Sequence, residues 1–266
     1  VAGVEAQSET DWRQANKYRV PRICFINKMD RMGANFQRTV KMIVDRLKAK
    51  PIPVQLPLGS EEKFRGVLDL VEEKAWISDG KPESSLVEEA IPDSMMEQFQ
   101  AARQEMIEKI AELDDEILEA YLEGKPLSSE DLRKAIRKIT VSNTGVPVLC
   151  GTALRNKGME RLLDAIVDYL PSPLDVPPVN GEDFVGNKVE CPPDDDSPFT
   201  ALAFKVVSDP FVGRLVYFRV YSGKIEAGAQ VYNSTTQKKE RIGRLLLMHA
   251  NRREEINEAD TGAIIA

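Results

Sequence analysis

The chain has 266 residues, of which 42% are apolar and 30% charged, and its formal net charge is −7. This composition is ordinary for a folded protein with one to three units, and the negative charge argues against general affinity for nucleic acid. No apolar run reaches the length of a membrane span, and no targeting pattern opens the chain. Cys24, Cys150 and Cys191 are widely spaced and form no CxxC pair, so neither a disulfide framework nor a zinc site is suggested.

Two strands of the buried type, each followed by a helix, stand near the two ends of the first 172 residues. Ile23–Ile26 is apolar on both faces, as parallel strands covered by helices are, and a helix follows over about Phe36–Leu47. Val146–Cys150 has the same character and precedes a helix over about Met159–Leu170. This α-β-α rhythm predicts a doubly wound α/β sheet over residues 1–48 and 145–172.

The sequence between these two parts, residues 49–144, has a different pattern. An extended run at Pro51–Leu58 and two short strand patterns at Phe64–Leu70 and Lys74–Ile77 predict a small sheet. Residues 92–122 have the spacing of one or two amphipathic helices, and Ser128 has the position of a helix cap. We therefore expect an inserted α+β subdomain.

Residues 173–196 form a proline-rich stretch that we interpret as a stiff exposed linker. Seven of the sixteen prolines lie between Pro171 and Pro198. Beyond it, residues 197–266 show no helix period and predict an all-β unit, an incomplete barrel. Its strands are expected at Phe199–Val207, Gly213–Tyr221, Ala229–Asn233 and Glu240–Met248.

The charges are distributed unevenly along the chain. Residues 81–125 contain thirteen acidic and four basic residues, whereas residues 197–266 contain ten basic and seven acidic ones. An acidic stretch suits a basic partner and a basic one suits phosphates, although both are also what solvated faces of ordinary helices and strands present.

The motif Asn27-Lys28-Met29-Asp30 follows the first buried strand directly. Ligands of open α/β sheets bind at the carboxyl ends of the strands. A carboxylate at Asp30 can accept hydrogen bonds from both N1–H and the 2-amino group of guanine, which adenine cannot offer. The Asn27 amide can bond the N7/O6 edge and brace the loop, and the Lys28 stem can lie along the base. The alternative is that Asn27 and Asp30 only cap the next helix.

A second segment follows the other buried strand, at Thr152, Ala153 and Leu154. Small residues there let backbone N–H groups approach a base oxygen, and the Thr152 hydroxyl can brace the Asp30 loop. Taken alone, the segment is also an ordinary turn before a helix.

The sequence contains no Gly-x4-Gly-Lys-Ser/Thr loop that could cradle phosphates or place Mg²⁺. Asp183–Gly186 matches the Asp-x-x-Gly of a metal-linked switch, but it lies in the proline-rich stretch and we treat it as coincidence. The single histidine, His249, has no partner pattern for acid-base or metal chemistry. We predict no catalytic residue and no metal ligand.

Several strings in register resemble the elongation factor G family of ribosomal translocases. They are Gly3–Glu9, Trp12–Ala15, Asn27–Arg31, Gly33–Phe36, Asn156–Gly158, Tyr169–Pro171, Asp209–Gly213, Tyr221–Gly223 and Met248–Asn251. The resemblance implies a partial GTPase domain of the phosphate-loop class, a family-specific insertion, and the start of a barrel second domain. It also implies that Asn27, Lys28 and Asp30 read guanine while Thr152, Ala153 and Leu154 support it, with Thr in place of the family's Ser.

The resemblance further implies GTP or GDP with Mg²⁺ as ligands of the parent protein, and a cytoplasmic or organellar-matrix location. The implied partners are the ribosome, through a stalk protein at the acidic insertion and ribosomal RNA at the barrel, and indirectly tRNA and mRNA, with no membrane. The family's phosphate loop, switches, catalytic histidine and later domains have no counterpart here. We therefore expect the chain to be an internal piece that binds little nucleotide and hydrolyses none.

Two alternatives share these features. Another translational GTPase, such as a ribosome-protection or release-type factor, would also have Asn-Lys-x-Asp, although the Arg31–Phe36 and Met248–Asn251 runs favour the translocase. A stand-alone ribosome-interaction module would bind no nucleotide at all.

Overall fold

The computed structural model describes residues 1–78, 86–182, 186–209, 213–249 and 252–266. They form two units, Val1–Pro171 and Ser172–Ala266. The mixed α/β class predicted from the sequence is confirmed. The helices are α1 (Ala6–Lys17), α2 (Phe36–Leu47), α3 (Asp93–Ala111), α4 (Asp115–Leu122), α5 (Ser129–Val141) and α6 (Met159–Tyr169).

The strands of the first unit belong to two sheets. They are β1 (Cys24–Ile26), β2 (Pro51–Pro53), β3 (Gln55–Leu58), β4 (Gly66–Asp69), β5 (Lys74–Ile77), β6 (Val87–Glu89) and β7 (Val146–Cys150). Strands β1, β7 and β2 form a parallel sheet with β7 in the centre, and β3 to β6 form an antiparallel one. All five residues of β7 are buried, as expected of a parallel strand with covered faces.

Helix α2 shows how the sequence sets the helices of this unit. Asn35 caps its start by accepting a hydrogen bond from the Arg38 N–H at 2.8 Å, and Phe36, Val40 and Ile43 form its buried face. The helix ends at Lys48, whose φ of 54° is left-handed. The predicted bounds are confirmed because cap, period and stop all agree.

The two sheets of the first unit are joined through Val54, the single residue between β2 and β3. Its N–H donates to Val148 O of the parallel sheet at 3.1 Å, and its carbonyl accepts from the Leu70 N–H at 2.9 Å. Strand β2 therefore lies within the range predicted for the insertion but pairs with β7. Helices α3, α4 and α5 pack their apolar residues into one core that is continuous with both sheets.

The second unit consists of antiparallel pairs. Its strands are β8 (Val179–Glu182), β9 (Lys188–Cys191), β10 (Thr200–Asp209), β11 (Gly213–Ser222), β12 (Ile225–Glu226), β13 (Gln230–Asn233), β14 (Lys238–Arg241), β15 (Leu245–His249), β16 (Arg252–Ile256), β17 (Glu258–Ala259) and β18 (Ile264–Ile265). The sheet with the most strands has the order β10-β11-β18. The strand pairings among the described residues do not close into a barrel.

Two features of the second unit differ from the sequence-based expectation. The proline-rich stretch contains the paired strands β8 and β9, whose residues are nearly all exposed and so give no apolar alternation to recognise. The strand expected over Glu240–Met248 is divided, because the Ile242 N–H donates to Ala229 O instead of continuing a ladder. Parts of the Asp183–Gly186, Asp209–Gly213 and Met248–Asn251 strings lie outside the described residues.

Candidate functional site

The two sequence motifs lie at the same edge of the parallel sheet. Ile26 at the end of β1 is in register with Cys150 at the end of β7, so the loops after both strands leave side by side. The Gly151 N–H donates to Ile26 O at 3.1 Å, and the Met29 N–H donates to Gly151 O at 3.1 Å. These backbone bonds hold the loop from Asn27 to Gly33, which we call the Asn27 loop, against the loop from Gly151 to Lys157, the Gly151 loop.

Asn27 connects the two loops through its side chain. Its Oδ1 accepts hydrogen bonds from the Lys28 N–H at 2.7 Å and from the Ala153 N–H at 3.0 Å. Lys28 has a left-handed φ of 62°, a conformation that costs about 1–3 kcal/mol for a residue other than glycine. The first bond is local to the Asn27 loop, whereas the second reaches 126 positions along the chain and cannot belong to a local turn or helix cap.

Asp30 lies at the mouth of the same edge. Its side chain is only 8% exposed, and its Oδ2 is 3.1 Å from Nε of Arg155, which is itself well exposed. The sequence reasoning did not single out Arg155, although it follows the predicted Thr152–Leu154 segment immediately. Asp30 makes no described helix-capping bond, because the cap of α2 is Asn35.

The Gly151 loop is closed on itself. The Thr152 N–H donates to Lys157 O at 2.9 Å, the Lys157 N–H donates to Thr152 O at 3.2 Å, and Thr152 is buried. A Cβ at Gly151 would lie 2.5 Å from Lys157 O, so the close approach of these backbones requires glycine. Ala153 and Leu154 are exposed at the tip, Leu154 with 85% of its area accessible.

The antiparallel sheet region also reaches the Asn27 loop. The Glu61 N–H donates to Met29 O at 3.0 Å, and Glu61 Oε1 accepts from the Gly33 N–H at 2.8 Å. Sequence reasoning missed this contact, because nothing in a Glu-Glu-Lys stretch indicates which distant backbone it will meet.

Two thiols of the parallel sheet and the single histidine have the following surroundings. Burial raises the pKa of Cys24 to about 11 and raises that of Cys150 further above its usual range, so neither thiol is a thiolate at neutral pH. His249 lies on β15, 3.5 Å from Glu254 and 58% exposed. Among the residues that the structure describes, no group of three or more His, Cys, Asp or Glu is placed to hold a metal ion. Within the same ranges, no helix has the length and apolarity needed to cross a bilayer.

Chemically, the edge offers a nearly buried acceptor carboxylate at Asp30, an exposed aliphatic stem at Lys28, and a backbone loop at Ala153 fixed by Asn27. This set can pair with a planar base that has two adjacent donors.

Comparison with known proteins agrees with the fold. The sequence profile of the elongation factor Tu GTP-binding domain matches residues 1–172, and that of elongation factor Tu domain 2 matches residues 213–266. Elongation factor G of Dehalococcoides mccartyi strain CBDB1 is 57% identical over the whole chain, and that of Thermotoga maritima is 55% identical. A crystal structure of a protein from Thermus thermophilus superposes with a TM-score of 0.79 at 28% identity, covering 99% of this chain and 36% of that one.

An open α/β unit with this loop pair, followed by an antiparallel β unit, defines a chain of the translational GTPase type. More particularly, the chain belongs to the family of the elongation factor Tu GTP-binding domain, and its relatives at 54–57% identity are elongation factors G. It spans 38% of the length of these relatives.

Proposed function

We propose that Asn27, Lys28 and Asp30 bind guanine and that Thr152, Ala153 and Leu154 support the base from the neighbouring loop. The observation that carries the proposal is the hydrogen bond from the Ala153 N–H to Asn27 Oδ1, at 3.0 Å. It fixes the two loops as one surface at the carboxyl edge of the parallel sheet, where ligands of such sheets bind.

The residues fit the base. The ionised Asp30 carboxylate only accepts hydrogen bonds, and guanine presents N1–H and an amino group on one edge, whereas adenine presents an acceptor at N1. The Arg155 side chain that pairs with Asp30 is well exposed, so it can move into solvent and a bidentate base edge can take its place.

The whole protein, on this proposal, uses GTP binding and hydrolysis, with Mg²⁺ beside the phosphates, to move tRNA and mRNA on the ribosome in the cytoplasm. The support is the identity of the elongation factor G relatives along the whole chain. Cleavage of the bound GTP would supply the free energy for this movement. The residues of this chain would hold and select the base. Because the sequence contains no phosphate-cradling loop, we expect the chain alone to bind nucleotide weakly and to hydrolyse none.

The finer division of the chain is part of the same proposal. Residues 1–48 and 145–172 are assigned to the GTPase domain, 49–144 to the insertion, 173–196 to a linker and 197–266 to the start of the barrel domain. The acidic helices α3 and α4 suit a basic ribosomal stalk protein, and the net positive 197–266 segment suits ribosomal RNA.

The test is a titration of the chain with nucleoside monophosphates, followed by backbone amide NMR shifts. Guanosine monophosphate should shift the amides of Met29 and Ala153 and bind at least roughly tenfold more tightly than adenosine monophosphate. Asp30→Asn should lose guanosine monophosphate and gain xanthosine monophosphate, because the new amide donates where xanthine has a carbonyl.

Asp45→Asn, an exposed change of the same chemistry on α2, is the matched control and should bind like the unaltered chain. Equal shifts with both purines, or full guanine binding by Asp30→Asn, would refute the assignment. A chain that binds neither purine but still associates with ribosomes would favour the stand-alone interaction module. A ribosome-protection or release-type factor would show the same base selection and would differ only in the reaction of the whole protein.

A further inference from the structure

One short segment of the antiparallel sheet region, Gly59–Arg65, contacts both loops of the candidate base site. It contains the 3₁₀ turn Glu61–Lys63 between β3 and β4. We call it the bracing segment. None of its residues belongs to either motif.

Glu61 holds the Asn27 loop at two points. Its backbone N–H donates to Met29 O at 3.0 Å, between the proposed base-binding residues Lys28 and Asp30. Its carboxylate accepts from the Gly33 N–H at 2.8 Å, at the far end of the loop. A charge-assisted bond of this kind is stronger than one between neutral groups, so the carboxylate closes the loop around Asp30.

Phe64 holds the Gly151 loop. Its carbonyl accepts a hydrogen bond from Nζ of Lys157 at 3.0 Å, and the Lys157 backbone makes both bonds to Thr152. The bracing segment therefore reaches the second loop through one ammonium group.

The bracing segment has a sterically constrained backbone. A Cβ at Gly59 would lie 2.1 Å from Lys63 O, Glu61 has a left-handed φ of 54°, and Phe64 is buried. Such a conformation persists only when its surroundings fix it.

We infer that the bracing segment positions both base-binding loops, with the Glu61 carboxylate and the Lys157 ammonium as the positioning groups. This inference rests on the proposed guanine site. Glu61 acts through Met29 and Gly33 and Lys157 acts through Thr152, so neither touches the base. Guanine selectivity thereby depends on a part of the chain that contains no nucleotide motif.

The first measurement is amide hydrogen exchange of the free chain, residue by residue. Glu61→Ala keeps the Cβ, and hence the backbone conformation, but removes the acceptor of Gly33. The Gly33 amide should exchange roughly tenfold faster or more, with smaller gains at Met29 and Arg31 and none at Val67 or Leu68 of β4. Lys157→Met should instead accelerate exchange at Thr152 and Lys157 and leave Gly33 unchanged.

The second measurement is the ratio of affinities for guanosine and inosine monophosphates, since inosine lacks the 2-amino group that Asp30 accepts. General loosening of the chain would weaken both ligands equally. Loss of the bracing contact should lower the ratio, from roughly tenfold towards unity in Glu61→Ala.

Three variants serve as controls. Glu61→Gln retains an acceptor oxygen and Lys157→Arg retains a donor, so both should restore slow exchange, and Glu62→Ala alters only an exposed neighbour. Unchanged Gly33 exchange in Glu61→Ala, or the same pattern in Glu61→Ala and Lys157→Met, would overturn the inference. If guanosine monophosphate fails to bind the unaltered chain, the base assignment fails, while the exchange data still decide whether the segment holds the loops.

Discussion

The two units of the chain bury their apolar residues in different ways. In the first, helices and both sheets share one continuous core that extends from Val4 to Tyr169. In the second, the described residues form two small clusters, one around Val220 and Leu245 and one around Leu215. Layers of helix on sheet enclose side chains from two sides, whereas paired antiparallel strands bury alternate residues on one face.

The first unit also has a nearly buried ionic cluster. Arg161 of α6 is 3.2 Å from Asp69 of β4 and 2.9 Å from Glu72, and its guanidinium lies 4.9 Å from the centre of the Trp76 ring. Because the core of the first unit is continuous, we expect a substitution in it to lower stability more than a matched change at an exposed site or in the second unit. Three sets of substitutions test this expectation.

The largest effect is expected from Arg161→Met, which removes the cation but keeps the apolar stem. Burial already raises the pKa of Asp69, even though Arg161 and the Glu72 amide favour its ionised form. Without Arg161 this carboxylate keeps its backbone hydrogen bonds but loses the paired cation, and the free energy of unfolding should fall by about 4 kcal/mol. Urea unfolding followed by circular dichroism measures it. Arg65→Met, which removes an exposed ion pair to Glu89, should change stability little; an equal loss in both would contradict the role of burial.

The second prediction compares the same leucine-to-alanine substitution in the two cores. Leu132 and Leu245 are both fully buried. Leu132→Ala should destabilise the first unit by about 3 kcal/mol and Leu245→Ala the second by about 2 kcal/mol, because a small cluster can collapse further around the cavity.

The two responses can be separated by the probes used. Trp12 and Trp76, the two tryptophans of the chain, lie in the first unit, so their fluorescence follows that unit alone. The Val220 amide, which donates to Ala263 O at 2.9 Å, reports the second unit through hydrogen exchange. Leu163→Ala, on an exposed side chain of α6, is the control. A larger loss of stability from Leu245→Ala than from Leu132→Ala would contradict this expectation.

The smallest effect is expected in the pH dependence of stability. Asp114 caps α4 by accepting from the amides of Glu116 and Ile117, and it is 2.8 Å from Nζ of Lys138. Burial raises the pKa of Asp114, but these hydrogen bonds outweigh it, and the net pKa lies below the usual 3.8. The ionised carboxylate therefore stabilises the fold above pH 3.8, and this contribution is lost as the pH falls through the lower folded pKa.

Asp114→Ala should lower the free energy of unfolding at pH 7 by about 1–2 kcal/mol. Asp114→Asn, which keeps the cap without the charge, should lose less, and its difference from the unaltered chain should be smaller near pH 3 than at pH 7. Denaturation at both pH values measures this. Asp195 of the second unit, which accepts from the Thr261 N–H but is exposed, provides the comparison: its replacement by alanine should have a smaller effect, and a larger one would argue against burial as the cause.

The sequence predicted the elements with a strong local signal. The helix expected over about Phe36–Leu47 is α2, and the all-apolar runs predicted β1 and β7. It also indicated which loops lie at the sheet edge, because parallel strands end on one side.

The partners of those loops were not predictable. Glu61 is 28 positions from Gly33, and Arg155 is 125 positions from Asp30, so neither contact has a local pattern. Strands β8 and β9 have nearly all of their side chains exposed, and a pattern of apolar residues cannot reveal such pairing.

The two backbone hydrogen bonds of Val54 limit how the chain can be shortened. Because this one residue hydrogen-bonds to both sheets, residues 49–144 cannot be excised as a cassette without also removing β2, the strand that covers one flank of β7. A deletion that preserves the parallel sheet would have to leave Pro51–Val54 in place and cut on the far side of it. Such a deletion would still remove the hydrogen bond that the Leu70 N–H donates to the Val54 carbonyl.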